Sequence, residues 1–130
     1  MYIYRLIERT LALDIIEFRD YCLSKNGTTE EFPFDNKTLV FKVMGKMFSL
    51  CNVDNFKSYN LKCDPERAIE LREEFDGIRV GFHMSKKHWN TIDVFSDVDD
   101  KLAIKLIDHS YDLVVKGLKK ADREKLLENA

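Results

Sequence analysis

Apolar residues Leu11, Ile15, Phe18 and Cys22 recur at steps of four, three and four, the spacing of one stripe on an amphipathic helix over Leu11–Lys25. Asn26-Gly27 supplies a left-handed stop for it. Residues 1–10 either continue this helix or form a separate arm. Pro33 and Asp35-Asn36 mark a loop, after which the pattern changes to β-branched and aromatic runs, Thr38–Val43 and Lys46–Asn52, separated by Met44-Gly45 as in a hairpin. Ser58–Cys63 alternates polar and apolar residues as a third strand. Asp64-Pro65 then suits a helix start, with Asp as cap and Pro in the first turn, and Ala68, Leu71 and Phe75 turn inward before Asp76-Gly77. After a break at Gly81–Lys87, His88–Phe95 alternates as a strand, with Arg79–Met84 as its partner. The last helix opens at Asp99-Asp100 and carries Ala103, Ile107, Tyr111, Val114 and Leu118 on one stripe. It closes near Lys119-Lys120, where positive charge suits the helix dipole.

The order α-β-β-β-α-β-β-α, with short turns between most strands, predicts an α+β fold. It is a two-layer α/β arrangement whose mostly antiparallel sheet has helices on one face and the other face open. A chain of 130 residues is long enough to bury one core without disulfides, so residues 1–130 are read as a single domain, with 119–130 as a tail. Cys22, Cys51 and Cys63 are odd in number and lack a C-x-x-C spacing, which suits reduced thiols in a cytoplasm. Arg5, Glu8 and Arg9 interrupt the apolar start, so no signal peptide is expected, and no apolar run reaches membrane-spanning length.

Charge is unevenly distributed. The formal net charge of -2 gives no overall attraction to nucleic acid or to an anionic membrane, so such binding requires a local patch. The strands provide one: residues 37–63 hold five lysines against a single aspartate, and residues 79–92 hold three basic residues and no acid. If Leu39, Phe41, Val43, Tyr59, Leu61, Cys63, Ile92 and Val94 face the helices, then Lys42, Asn60, Lys62, Trp89, Thr91 and Asp93 face outward. A basic sheet face with an aromatic residue suits phosphate binding with base stacking. The same pattern arises if the lysines merely discourage edge pairing and Trp89 covers core.

No catalytic constellation emerges. His83 and His88 are five residues apart and would leave a strand on opposite faces, so a zinc site with His109 is not expected. The acidic groups at Glu30-Glu31, Glu73-Glu74 and Asp97/Asp99/Asp100 fit helix ends and loops. Asp108-His109-Ser110 has triad chemistry, but consecutive helical residues point about 100° apart and do not form a triad. There is no glycine-rich phosphate loop. The expectation is a protein without enzymatic activity, cofactor or metal.

Five ordered blocks resemble the MmcQ/YjbR family, small bacterial proteins described as DNA-binding: Glu30-Glu31-Phe32-Pro33-Phe34, Thr38-Leu-Val-Phe-Lys-Val-Met-Gly-Lys-Met-Phe48, Asn60-Leu-Lys-Cys-Asp-Pro-Glu66, Lys86-Lys87-His88-Trp89-Asn90-Thr91, and Asp108-His-Ser-Tyr-Asp-Leu-Val114. The resemblance spans roughly residues 14–118 and makes residues 1–12 an N-terminal extension. It implies a fold like that of the bacterial frataxin homologue and of secretion chaperones, and it implies DNA binding. Lys86, Lys87, His88, Trp89 and Asn90 are then the expected contact segment, with Lys42, Lys46 and Lys62 as auxiliary cations and Trp89 as a stacking residue. The rival readings are a protein-interaction or chaperone-like module that holds a protein partner, or a second copy as a homodimer, on the open sheet face or the first helix, and a frataxin-like metal binder using acidic helix residues.

Overall fold

Asp14 sets the start of the first helix. Its carboxylate accepts the Glu17 amide (2.8 Å) while the Glu17 carboxylate accepts the Asp14 amide (3.3 Å), a reciprocal capping box that opens α1 over Ile15–Ser24. The computed structural model describes residues 12–129, so Leu11 and residues 1–11 of the expected extension lie outside the described residues. Ala12 and Leu13 are buried but not helical. The helix is therefore shorter than its apolar spacing predicts, because the capping box ends it at Asp14.

Six strands form one wholly antiparallel sheet in the order β1-β2-β3-β4-β6-β5. They are β1 (Thr28–Glu31), β2 (Thr38–Val43), β3 (Lys46–Asn52), β4 (Ser58–Lys62), β5 (Ile78–Val80) and β6 (Trp89–Asp93). The β2–β3 turn places Met44 (φ 50°) and Gly45 (φ 78°) in left-handed backbone, which matches the twist of a two-residue hairpin. Helix α2 (Pro65–Glu74) is capped by Asp64, whose side chain accepts the Arg67 amide at 3.2 Å. Helix α3 (Asp100–Lys116) lies against β3 and β4. Phe18, Cys22, Ala68, Leu71, Ala103, Ile107 and Val114 join the inward strand residues in one core, so the helices cover a single face of the sheet, as the alternation predicts. Two elements escape the sequence reading. Strand β1 contains no apolar residue, and residues 120–128 of the expected tail form helix α4 (Lys120–Glu128), which buries Leu126 and accepts the Asn26 side-chain amide on the Leu126 carbonyl (3.0 Å).

A bulge in β3 sets how α3 meets the sheet. Register shifts between Phe41 and Lys42, which pair with Ser49 and Met47, so that Phe48 and Ser49 both turn toward the helices. The β3–β4 pairing runs out at Ser49↔Leu61. Ser110 of α3 bridges the gap, donating its hydroxyl to the Phe48 carbonyl (2.5 Å) and accepting the Lys62 amide (2.9 Å). Its neighbours reach other elements. Asp108 accepts the Tyr21 hydroxyl (2.5 Å) and the Lys25 ammonium (2.8 Å), His109 Nε2 accepts the Asp64 amide (3.1 Å), and the Tyr111 hydroxyl donates to the Asn26 carbonyl (2.5 Å). The Asp-His-Ser sequence is thus a set of tertiary ties, each residue pointing to a different part of the fold.

Replacing Ser110 by Ala removes the side-chain partner of the buried Phe48 carbonyl and of the part-buried Lys62 amide and is expected to lower stability by roughly 2–3 kcal/mol. The urea midpoint should fall at unchanged slope; a loss below about 0.5 kcal/mol would mean that the bridge contributes little. His109 provides a pH test. Burial, reinforced by Arg67, holds its pKa below the usual 6.5. The unfolded chain therefore takes up a proton that the folded chain resists, so stability should fall as pH drops below about 6.5 toward the lower folded-state pKa. His109→Gln should flatten that part of the stability profile, and an unchanged profile would exclude His109 as its source.

Candidate functional site

Strand register brings the candidate basic residues to one end of the sheet. Lys46 follows the β2–β3 turn, Lys42 pairs with Met47, and Lys62 at the end of β4 pairs with Trp89 at the start of β6. The segment before Trp89 is fixed at that end by its backbone. The Trp89 amide donates to the Ser85 carbonyl (3.0 Å), the His88 carbonyl accepts the Cys63 amide (2.8 Å), and the Lys86 carbonyl accepts Arg72 Nη1 (3.2 Å). With the main chain tied to α2 and β4, the side chains of Lys86, Lys87 and His88 are exposed. The loop returns across Gly81, whose amide donates to the Trp89 carbonyl (3.0 Å); a Cβ there would stand 2.7 Å from the Trp89 Cβ, so the close approach requires glycine.

The five expected lysines are not equivalent. Lys42 is ion-paired with Glu31 across the β1–β2 pair, whereas Lys46, Lys62, Lys86 and Lys87 have no ion-pair partner among the described residues. Lys46, Lys86 and Lys87 are exposed, and Lys62 is half-buried.

Trp89 and Asn90 correct the expected contact segment. Trp89 does lie on the face away from the helices, but only 8% of it is exposed; it packs with Val40 and Leu50, flanked by Met47 and Met84. Strand parity finds the face of the sheet without revealing that the 81–88 loop covers part of it. Trp89 therefore offers no ring surface on which a base could stack. Asn90 is 2% exposed and points to the helix side, where its side-chain oxygen accepts Arg72 Nη1 (2.7 Å) and its amide donates to the Ala68 carbonyl (3.4 Å). These two residues hold the segment in place, while Lys86, Lys87 and His88 form its surface. Arg72, which ties Asn90 to Lys86, was not singled out by the sequence because its only signal there is a charge on a solvent-facing helix.

Among the described residues no group of three His, Cys, Asp or Glu side chains is placed to hold a metal ion. Asp97, in one of the acidic clusters, instead accepts the Gly77 amide (2.8 Å) and the Asp76 amide (2.9 Å), and the Gly77 bond leads in holding its carboxyl below the usual range. The three cysteines are buried, and burial pushes the thiols of Cys22 and Cys51 up to about 12 and that of Cys63 up to about 11. They are protonated packing groups, poor nucleophiles near neutral pH. No helix among the described residues is long and apolar enough to cross a membrane.

Comparison with known proteins matches residues 23–113 to the YjbR family model. The uncharacterised protein YjbR of Escherichia coli K12 is 30% identical over 117 residues, covering 89% of this chain and 99% of the relative. The uncharacterised protein YbdF of Escherichia coli O157:H7 is 34% identical over 96 residues, covering 73% of this chain and 79% of the relative. A crystal structure of a Deinococcus radiodurans protein superposes with a TM-score of 0.80 at 39% identity, covering 86% of each chain. One from Pseudomonas syringae gives 0.66 at 26% identity, covering 78% of this chain and 98% of that one.

Trp89 is the single tryptophan, so intrinsic fluorescence reports its surroundings alone. A blue-shifted emission, weakly quenched by iodide, is expected for the native protein. Emission at the wavelength of free indole with full quenching would contradict the buried placement.

Proposed function

The chain belongs to the YjbR family, and we propose that it is a non-enzymatic cytoplasmic protein that binds the phosphate backbone of DNA through Lys86 and Lys87, assisted by Lys46 and Lys62. The observation that carries this reading is the gathering, at one end of a protein whose net charge is -2, of four lysines that have no ion-pair partner among the described residues. Backbone hydrogen bonds hold the Lys86–His88 turn before any ligand arrives, so little ordering of the loop opposes binding. His88 adds a hydrogen-bonding side chain beside the two lysines. Lys42 is secondary, because it must first leave Glu31.

The reading supplies affinity without sequence readout. The candidate contacts are flexible ammonium groups at a sheet end, and no helix or pair of strands carries them into a groove to meet base edges. Trp89 and Asn90 contribute by keeping the loop in register and make no contact with the nucleic acid.

Four phosphate contacts release about four counterions, so the logarithm of the binding constant for duplex DNA should fall against the logarithm of salt concentration with a slope of about -3 to -4. Anisotropy titrations of a labelled duplex and a labelled single strand, from low to physiological salt, measure it. Lys86→Ala/Lys87→Ala should reduce the steepness by about 2, while Lys42→Ala should leave it nearly unchanged. Absence of binding at low salt would overturn the function, and an unchanged slope in the double variant would overturn the site.

A further inference from the structure

The face of the sheet away from the helices holds a groove of about 770 Å³, within the usual range for ligand sites. Phe34, from the loop before β2, forms one rim, and Phe82, from the loop before β6, forms the other. Strands β2 and β6 lie three strand spacings apart, on the order of 14 Å. Both rings are unusually open for phenylalanine, at 66% and 65% exposure. Met47, Leu50 and Met84 give the floor an apolar surface. His83 packs its ring on Phe82 with centroids 4.0 Å apart, and its left-handed backbone (φ 57°) is of the sparsely populated kind that concentrates at ligand clamps.

Hydrogen bonding in the groove is mixed. Asn52 Oδ1 accepts the Asp54 and Asn55 amides and Asn60 Oδ1 accepts the Thr91 hydroxyl, so both asparagines keep their Nδ2 donors. Arg79 commits Nε and Nη2 to Asp93 and retains Nη1. The side chains of Asn55, Ser58 and His83 also line the groove, have no hydrogen-bond partner among the described residues, and add free acceptors as well as donors. The groove thus discriminates little by hydrogen-bond type, and its selectivity comes from what adjoins it. Lys46 precedes Met47 of the floor, and Lys86 follows Met84 by two residues. Lys62 is the next outward residue of β4 after Asn60, about 7 Å along the strand. The open rings and their polar surroundings end where these cations begin.

We infer that the groove receives unpaired bases of a single-stranded nucleic acid, one on the Phe82 ring and one on the Phe34 ring, while the adjoining phosphates lie on Lys46, Lys62 and Lys86. This rests on the reading of those lysines as phosphate contacts and adds a preference for unpaired strands to it. A chain that carries flat rings beside regularly spaced negative charges matches open phenylalanines bordered by ammonium groups. Base edges combine donors and acceptors, as the lining does. Every base has a face on which to stack, so affinity is gained without sequence preference. A duplex keeps its bases paired and stacked and must give up both to reach the rings.

Anisotropy titrations of the full chain with three labelled probes of about 12 nucleotides separate the rings from the lysines: an oligothymidylate, an abasic strand with the same phosphates, and a duplex. The thymidylate should bind about tenfold tighter than the abasic strand. Phe82→Ala and Phe34→Ala should each weaken the thymidylate about tenfold while changing the abasic strand and the duplex by less than about twofold. Phe82→Tyr keeps an aromatic face and should retain the thymidylate affinity. Both rings are exposed, so these variants should keep the urea midpoint of the parent protein. Equal affinity for the abasic strand and the thymidylate, thymidylate affinity unchanged in either Ala variant, or an equal loss on the duplex would overturn the base site and leave the lysine reading standing. No binding of any of the three probes would overturn both. A peptide alternating glutamate with phenylalanine offers similar charge and rings; displacement of the thymidylate by that peptide at a lower concentration than by unlabelled thymidylate would overturn the assignment to nucleic acid.

Discussion

The hydroxyl of Ser110 occupies the point where two central strands stop pairing with each other. The bulge at Phe48 and Ser49 bends β3 so that both residues serve the core, and the cost is a carbonyl and an amide left apart at the end of the β3–β4 ladder. A serine on α3 satisfies both at once. This contact fixes the height and rotation of α3 over the sheet, because a helix displaced by one residue would turn the hydroxyl through about 100°. With α3 so fixed, Asp108, His109 and Tyr111 reach α1, the cap of α2 and the turn after α1. The polar ties are few, and they range from the buried Ser110–Phe48 bond to the exposed His109–Asp64 bond.

Much of this was legible in the sequence, for a definite reason. A residue's place in a strand decides its face, and the inward sets Leu39/Phe41/Val43, Tyr59/Leu61/Cys63 and Ile92/Val94 lie where alternation assigns them. What alternation lacks is any account of what covers a face. Trp89 has the predicted parity and is nevertheless buried, because a loop distant from it in pattern but adjacent in chain folds back across its carbonyl. Strand β1 escaped notice because an edge strand exposed along most of its length needs no apolar residue. Phe48 and Ser49, consecutive and both inward, break the period that makes strands readable. The lysines at the sheet end were visible as residue types, but only register could bring Lys46 and Lys62 beside Lys86 and Lys87 or show Lys42 committed to Glu31.

The loop between β5 and β6 divides its labour along its length. Phe82 and Met84 lean on the sheet and border the groove, whereas Lys86, Lys87 and His88 turn outward at the end of the molecule. Its anchors are Gly81, the Lys86 and His88 carbonyls, and Trp89. Charge and apolar surface are thereby kept apart within a few residues, and each faces a different environment from one rigid turn.

The bridge from α3 also has a bearing on biosynthesis. A ribosome releases β2, β3 and β4 well before Ser110, and β6, which must lie between β4 and β5, also emerges later than its neighbour β4. The nascent sheet thus has an unfilled junction at its centre and an unpaired edge on β4 until the C-terminal third of the chain is available. Pairings so distant along the chain form slowly, which places the committed step of folding after α3 has emerged and makes a chain cut before β6 and α3 the form most exposed to strand-to-strand association.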